Sequence, residues 1–446
     1  MKKLKLFNLA WPIFIETALF MFLGFIDVFV LSDYNDLAAS SVNTANQVVN
    51  IVTIVFTVIS GAGAVLISQY LGAENKKGAS RIAALSITFN IILGCIISAL
   101  LAVFNHQILS FVGAEGEVLK FASEYLTIVG GFLFLQAVLT TIATIIRSHG
   151  MTQISMYVTV GMNIINTVLD IIFVKGLFGV PEMGVMGVAV ATTFSRFLGT
   201  IVLAIVMFKY VEKIEIFKLL KPFPFNDVRK IIKIGVPSAL ESFLYNLSQL
   251  VVTSIILNCL TSIELITKTY VQNITMFFYI FAVAIGQASQ ILTGHLVGAN
   301  KLDEAYKQGF KSYRNALIIV MGMSVLGIIF RTQLMDIFTE DTLVITMGAN
   351  ILILNILLEL GRTTNIVIIA CLRGASDVVF PTVCAIFSMW VISALGSYIL
   401  AVVCGMGIYG LWIAFAADEC FRGILMIWRW KSGKWRTKGM ATETEC

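Results

Sequence analysis

Apolar residues run along this chain in stretches of about 20 to 30, separated by short polar or glycine-bearing breaks, and the pattern recurs roughly twelve times. The stretches fall near residues 7 to 31, 41 to 71, 81 to 105, 121 to 146, 152 to 175, 186 to 208, 230 to 258, 268 to 297, 311 to 335, 346 to 370, 380 to 404 and 408 to 430. At 1.5 Å rise per residue each can cross the hydrocarbon of a bilayer as a helix. The pattern predicts an all-α polytopic membrane protein with twelve transmembrane helices.

Composition agrees: 58% of the 446 residues are hydrophobic and 13% charged, against about 25% charged in soluble domains. The start, MKKLKLFNLAWPIFIETALFMFLGFID, has a basic head like a signal peptide, but Glu16 and Asp27 interrupt it and no small-residue cleavage site follows. It reads as the first span, retained. With that end in the cytoplasm, alternation assigns 24 of the 31 Lys and Arg to inside segments, among them Lys2, Lys3, Lys76, Lys77, the connector Lys213 to Lys233 and the tail KSGKWRTK. Lys120, Lys175, Lys268 and Arg331 fall outside, and Arg196, Arg362 and Arg422 lie within spans. Both termini are therefore expected in the cytoplasm, at the plasma membrane of a bacterial cell. The net charge of +5 is accounted for by topology and needs no nucleic-acid partner.

Seven scattered cysteines without CxxC spacing and three distant histidines support neither a disulfide framework nor a metal site. GMGIYG, Gly405 to Gly410, spells a dinucleotide fingerprint, but no strand precedes it, so loop glycines are expected. Two N-x-S/T matches, at Asn246 and Asn273, fall inside or beside spans, where glycosylation is implausible.

The chain also repeats itself. Glu16 follows Pro12 by four residues as Glu241 follows Pro237; Gly72 pairs with Gly298, Arg147 with Arg373, and Gly184 and Gly187 with Gly407 and Gly410, at offsets of 223 to 226. Two pseudo-symmetric six-helix lobes follow: residues 1–212, then a cytoplasmic connector 213–229 with two prolines, then 230–446 with a basic cytoplasmic tail. Six spans per half enter from the same side, which suits alternating access.

An ionisable group at mid-bilayer costs about 2.5 to 3.5 kcal/mol, so each one asks for a reason. Asp27 lies deep in the first span. Asn163, Asn166 and Asp170 are spaced three and four apart and share one face of the fifth. With a hydroxyl such as Thr192 they would form an oxygen-lined pocket for a hard monovalent cation or a proton. For Asn163, Asn43, Asn46, Gln47 and Asn50, hydrogen bonds between helices are an equal alternative. For the two acids function is favoured, because an amide would serve packing without the charge cost. Glu16 and Glu241 either line the cytoplasmic end of the seam between lobes or cap a structural contact. Arg147 and Arg373, at cytoplasmic turns, are expected to bind helix-end carbonyls. Glu359 precedes Arg362 by three residues, predicting an ion pair first and substrate contact second. Pro12 removes a backbone hydrogen bond inside a span and is a candidate hinge.

The stretches FIDVFVLS with DLAASSV, QYLGAENKKGA, IRSHG, NTVLD with GVPEMGVMGVAVAT, GHLVGAN, LRGASDVVFP and GMGIYGLWIA ending in RWKSGKW, in this order across nearly the whole chain, resemble the multidrug and toxic compound extrusion (MATE) family. The resemblance implies two six-helix lobes that export organic, cationic or amphipathic compounds in exchange for Na+ or H+. It is closer to the DinF-like branch, whose cation site maps onto Asp27, Asn166, Asp170 and Thr192, with Na+ a candidate at the first three and Pro12 as bending point. The branch with an acidic pair in the second lobe has Glu where this chain has Tyr245 and, near Arg362, Asp, so that site is absent or rebuilt. No cofactor beyond the coupling ion, no enzymatic activity and a monomer among membrane lipids are expected.

Two rivals remain. A lipid-linked oligosaccharide flippase of the same superfamily would favour a cationic cavity, and Arg362 is the one arginine that the sequence offers for it. A polytopic membrane transferase would favour clustered His or Asp motifs, and the histidines do not cluster. The absence of GxxxxGK[ST] argues against ATP-driven pumping by this chain.

Overall fold

The computed structural model describes residues 4–32, 35–211 and 214–440. Lys2, Lys3, Lys213 and Cys446 lie outside them. The described chain is all helix and turn: α1 Leu6–Ser32, α2 Asp36–Gly72, α3 Lys76–Phe111, α4 Gly116–Gly131, α5 Leu133–Ser148, α6 Thr152–Lys175, α7 Gly184–Val206, α8 Phe225–Cys259, α9 Ser262–Gly298, α10 Leu302–Ile329, α11 Arg331–Asp336, α12 Thr342–Gly374, α13 Val379–Ser388 and α14 Gly407–Lys431.

Fourteen helices make twelve spans because two of them are broken. Spans by length and apolarity number nine among the described residues, or ten when α4 and α5, bent by 47°, count as one. The two others are α1 and α14, whose interior carries Asp418, Glu419 and Arg422. The α4/α5 break follows Gly130 and Gly131, and the freed N–H of Phe134 donates to Ser98 Oγ at 2.9 Å, which satisfies that donor inside the membrane. α13 continues through π-helical turns, Met389–Leu395 and Tyr398–Val403.

The internal repeat is written into the backbone. Phe104 in α3 (φ −106°, ψ 18°) and Phe330 between α10 and α11 (φ −99°, ψ 20°) kink the third span of each half alike. Glu74 and Asn300 both turn left-handed after the second span (φ 58° and 57°), and Gly184 and Gly407 after the fifth (φ 51° and 55°). Three residues on, the sixth spans pass so close to their neighbours that a Cβ at Gly187 would lie 2.9 Å from Phe173 Cβ, and one at Gly410 2.6 Å from the Leu400 carbonyl carbon. Small residues let helices approach where lipid supplies no hydrophobic drive between them. The GMGIYG glycines thus serve a turn and a helix crossing.

The chain divides into two compact units: one of residues 11–71 and 75–235, the other of residues 1–10, 72–74 and 236–446. The connector after α7 belongs to the first, where buried Asp227 pairs with Arg81 at the start of α3. The first unit's core gathers Leu31, Val42, Phe56, Leu126, Leu133 and Val188. The second has one cluster around Ile256, Phe278, Ile351, Leu411 and Trp412. A further cluster lies under its tail, where Trp435 stacks on Trp430 with ring centroids 4.2 Å apart. Many large apolar side chains stay exposed, such as Phe29, Val103 and Ile424, as a lipid-facing surface requires.

A candidate cation pocket and a charged network

α1 from Trp11 onward and α6 belong to the first unit, and each delivers one acid to a common point. Asp27 and Asp170 are buried, 4% and 0% exposed, and lie within electrostatic range of each other. One oxygen of each, Asp27 Oδ1 and Asp170 Oδ1, has no hydrogen-bond partner. Asn166, one turn before Asp170 on the same face, closes the pocket toward α7. With its amide turned so that both ends are satisfied, Nδ2 donates to Asp170 Oδ2 at 3.3 Å and Oδ1 accepts from the Thr192 backbone N–H at 3.2 Å. In the other orientation Nδ2 reaches Thr192 Oγ1 at 3.4 Å. Asn163, the next residue along that face, is buried with both amide atoms unpartnered. Asp27, Asn163, Asn166, Asp170 and Thr192 therefore form a set of oxygens and amides with unused capacity, the donor set of a hard monovalent cation or a shared proton.

The amides of α2 behave differently from one another. Asn46 accepts from the hydroxyl of buried Tyr125 at 3.1 Å, an interhelical bond. Asn43, Gln47 and Asn50 lie at i, i+4 and i+7 and are exposed, a polar stripe that lipid would disfavour and water would not.

Glu16 and Glu241 occupy matching positions in structural contacts. Glu16, 4% exposed, pairs with Arg147 at 3.2 Å and accepts from Ser155 Oγ at 3.0 Å. Glu241 pairs with Arg373 at 2.9 Å and accepts from Thr382 Oγ1 at 3.2 Å. The expectation that Arg147 and Arg373 bind helix-end carbonyls is corrected: each guanidinium takes a carboxylate, the stronger charge-assisted partner, four residues beyond the proline of its own half. Pro12 and Pro237 both lie inside continuous helices, α1 and α8.

In the second unit Glu359 is fully buried and pairs with Arg362 at 2.8 Å, with Asn355 Nδ2 at 3.5 Å from the same oxygen. Tyr245 on α8 is exposed and lies within electrostatic range of Arg362 and Glu419. Sequence reasoning missed the rest of this network. Arg422 on α14 pairs with Asp418 at 2.7 Å and Glu419 at 2.9 Å, Ser388 donates to Asp418, and Asn365 on α12 donates to Glu419 at 2.8 Å. The signal was present as two acids three and four residues before an arginine inside a span. The view of Arg362 as the one arginine available to a cavity is also corrected. Arg422 lies in the same unit, and Arg196 on α7 sits within electrostatic range of Asp27 and Tyr125.

The MatE family model matches residues 12–172 and 237–399, the corresponding parts of both halves. The chain belongs to the MatE family. This MatE protein is 40% identical over 440 residues to the uncharacterized transporter YisQ of Bacillus subtilis (strain 168), covering 99% of this chain and 96% of that one. It is 28% identical to the probable multidrug resistance protein NorM of Thermotoga maritima, over 98% and 94% of the two chains. Among solved structures it is similar to a MATE protein in the bent conformation (TM-score 0.88, 19% identity, 96% and 94% covered) and to an outward-facing multidrug resistance MATE family transporter (TM-score 0.86, 19% identity, 96% of each chain). The MatE protein thus has the fold of these transporters and the composition of a multi-pass membrane protein.

Proposed function

We propose that this MatE protein is a secondary active exporter, releasing organic, cationic or amphipathic compounds in exchange for Na+ or H+ by alternating access, with both termini in the cytoplasm. The reading is carried by the juxtaposition of Asp27 and Asp170. Two acids that burial makes costly are brought to one point with an oxygen each unpartnered. A guest of one positive charge relieves that cost, and it biases the protein only by its different affinity for the two access states. Asn166 and Thr192 complete the pocket, and the exposed stripe of Asn43, Gln47 and Asn50 supports a water-filled path beside it. Pro12, a turn below the Glu16 clasp, is the point at which α1 would bend. The protein works as a monomer among lipids and needs no cofactor beyond the coupling ion.

The flippase alternative draws on a cationic cavity. The arginines inside the spans, Arg196, Arg362 and Arg422, share their surroundings with Asp27, Asp170, Glu359, Asp418 and Glu419, so neither group is cationic in sum. The experiment is efflux from proteoliposomes under imposed Na+ or pH gradients, with fluorescent organic cations as probes. Gradient-driven efflux that Asp27→Asn abolishes is expected; retention of it in that variant overturns the reading, and no response to either gradient favours the flippase.

A further inference from the structure

We infer that Arg196 is a built-in counter-charge that sets the capacity of the Asp27/Asp170 pocket to a single monovalent ion. The inference rests on the cation-pocket reading and adds to it the selectivity of the pocket.

Arg196 follows Thr192 by four residues on α7, one turn along the same helix face and about 6 Å further along the axis. Thr192 is the residue that Asn166 touches, so the stem of Arg196 leaves the helix beside the pocket. The side chain is partly buried, and among the described residues it forms no ion pair within 4.0 Å. Its electrostatic partners are Asp27 and Tyr125. Every other buried arginine or clasp arginine in the spans has a carboxylate in direct contact: Arg147, Arg362, Arg373 and Arg422. Arg196 alone among these is held near its acid without closing on it.

The charge sum gives the consequence. Two ionised acids alone present −2, a site that a divalent cation or two monovalent ones would fill. With Arg196 the sum is −1, so one proton or one Na+ brings the pocket to zero. A fixed positive charge also repels a doubly charged ion with twice the energy of a singly charged one at the same place. Arg196 thereby rejects divalent cations, which share the oxygen donor set. After one ion is bound, no residual charge holds a cationic cargo in the pocket.

The test uses full-length protein purified in nanodiscs and 45Ca2+ as the probe, so the outcome does not depend on whether Na+ or H+ couples. Arg196→Gln is expected to bind 45Ca2+ at least about tenfold more tightly than the wild type, Arg196→Lys to stay near the wild type, and Arg196→Gln/Asp170→Asn to lose the gain. Arg196→Met provides a second removal of the charge should the glutamine variant fold poorly. Equal Ca2+ affinity in wild type and charge-removed variants, or a gain that survives Asp170→Asn, overturns the inference. Failure of the pocket reading shows separately, as gradient-driven efflux retained by Asp27→Asn.

Discussion

Removing the buried acid of one clasp and not of its repeat mate gives a graded prediction. Glu16→Gln leaves Arg147, 17% exposed, without a counter-charge next to a site that is 5% exposed, whereas Glu241→Gln leaves Arg373 at 32% beside one at 12%. Breaking a buried pair from one side costs about 3 to 5 kcal/mol, while an exposed pair is worth about 1 kcal/mol or less. The two clasps lie between these limits at different points. The expectation is about 3 kcal/mol for Glu16→Gln and about 1 to 2 kcal/mol for Glu241→Gln. Replacing both members, Glu16→Gln with Arg147→Gln, should recover most of the loss, since neither partner is then left charged and buried. Equilibrium unfolding of the purified protein in mixed micelles, followed by tryptophan fluorescence, measures all of these as a double-mutant cycle. Equal costs for the two single variants, or a double variant no better than Glu16→Gln, would refute the argument from burial.

Other sites give sharper single outcomes. Asn166→Leu removes the amide beside Asp170 Oδ2, and since a hydrogen bond to a charged group is worth about 1.5 to 3 kcal/mol, the coupling ion should be required at roughly tenfold higher concentration in the efflux assay. A Cβ at Gly361 would lie 2.5 Å from the backbone nitrogen of Cys420, so Gly361→Val should wedge α12 from α14 and lower stability by about 2 kcal/mol or more. Gly322→Ala, where nothing lies within 4 Å, should be tolerated in the same thermal scan. Trp435 is fully buried and donates Nε1 to the Trp430 carbonyl at 2.9 Å, so Trp435→Ala should cost about 3 to 5 kcal/mol and expose residues 432–440 to limited proteolysis.

The two halves of the Asp27/Asp170 pocket illustrate what was legible before any coordinates. The three-and-four spacing of Asn163, Asn166 and Asp170 fixed a common helix face, because helical periodicity is local. The kinks at Phe104 and Phe330, by contrast, share backbone angles at an offset of 226 (330 − 104) with no proline in α3 or α10 to announce them. The Glu359 and Arg362 pair was readable for the same local reason as the fifth-span face, whereas Asn365 meeting Glu419 across α12 and α14 was not.

By itself the sequence determined the membrane class, the spans, the doubled architecture and the acids that demand an explanation. These follow from composition, from period and from the cost of charge in hydrocarbon, all of which are properties of segments. Only the tertiary structure decided which acid finds a partner. It placed Glu16 on Arg147 and Glu241 on Arg373, joined Arg422 to the Glu359 neighbourhood through α12 and α14, and left Arg196 beside the pocket without closing the pair. A side chain's partner across 131 residues is set by how helices cross, and crossing depends on small residues such as Gly361 acting jointly with the whole surrounding surface.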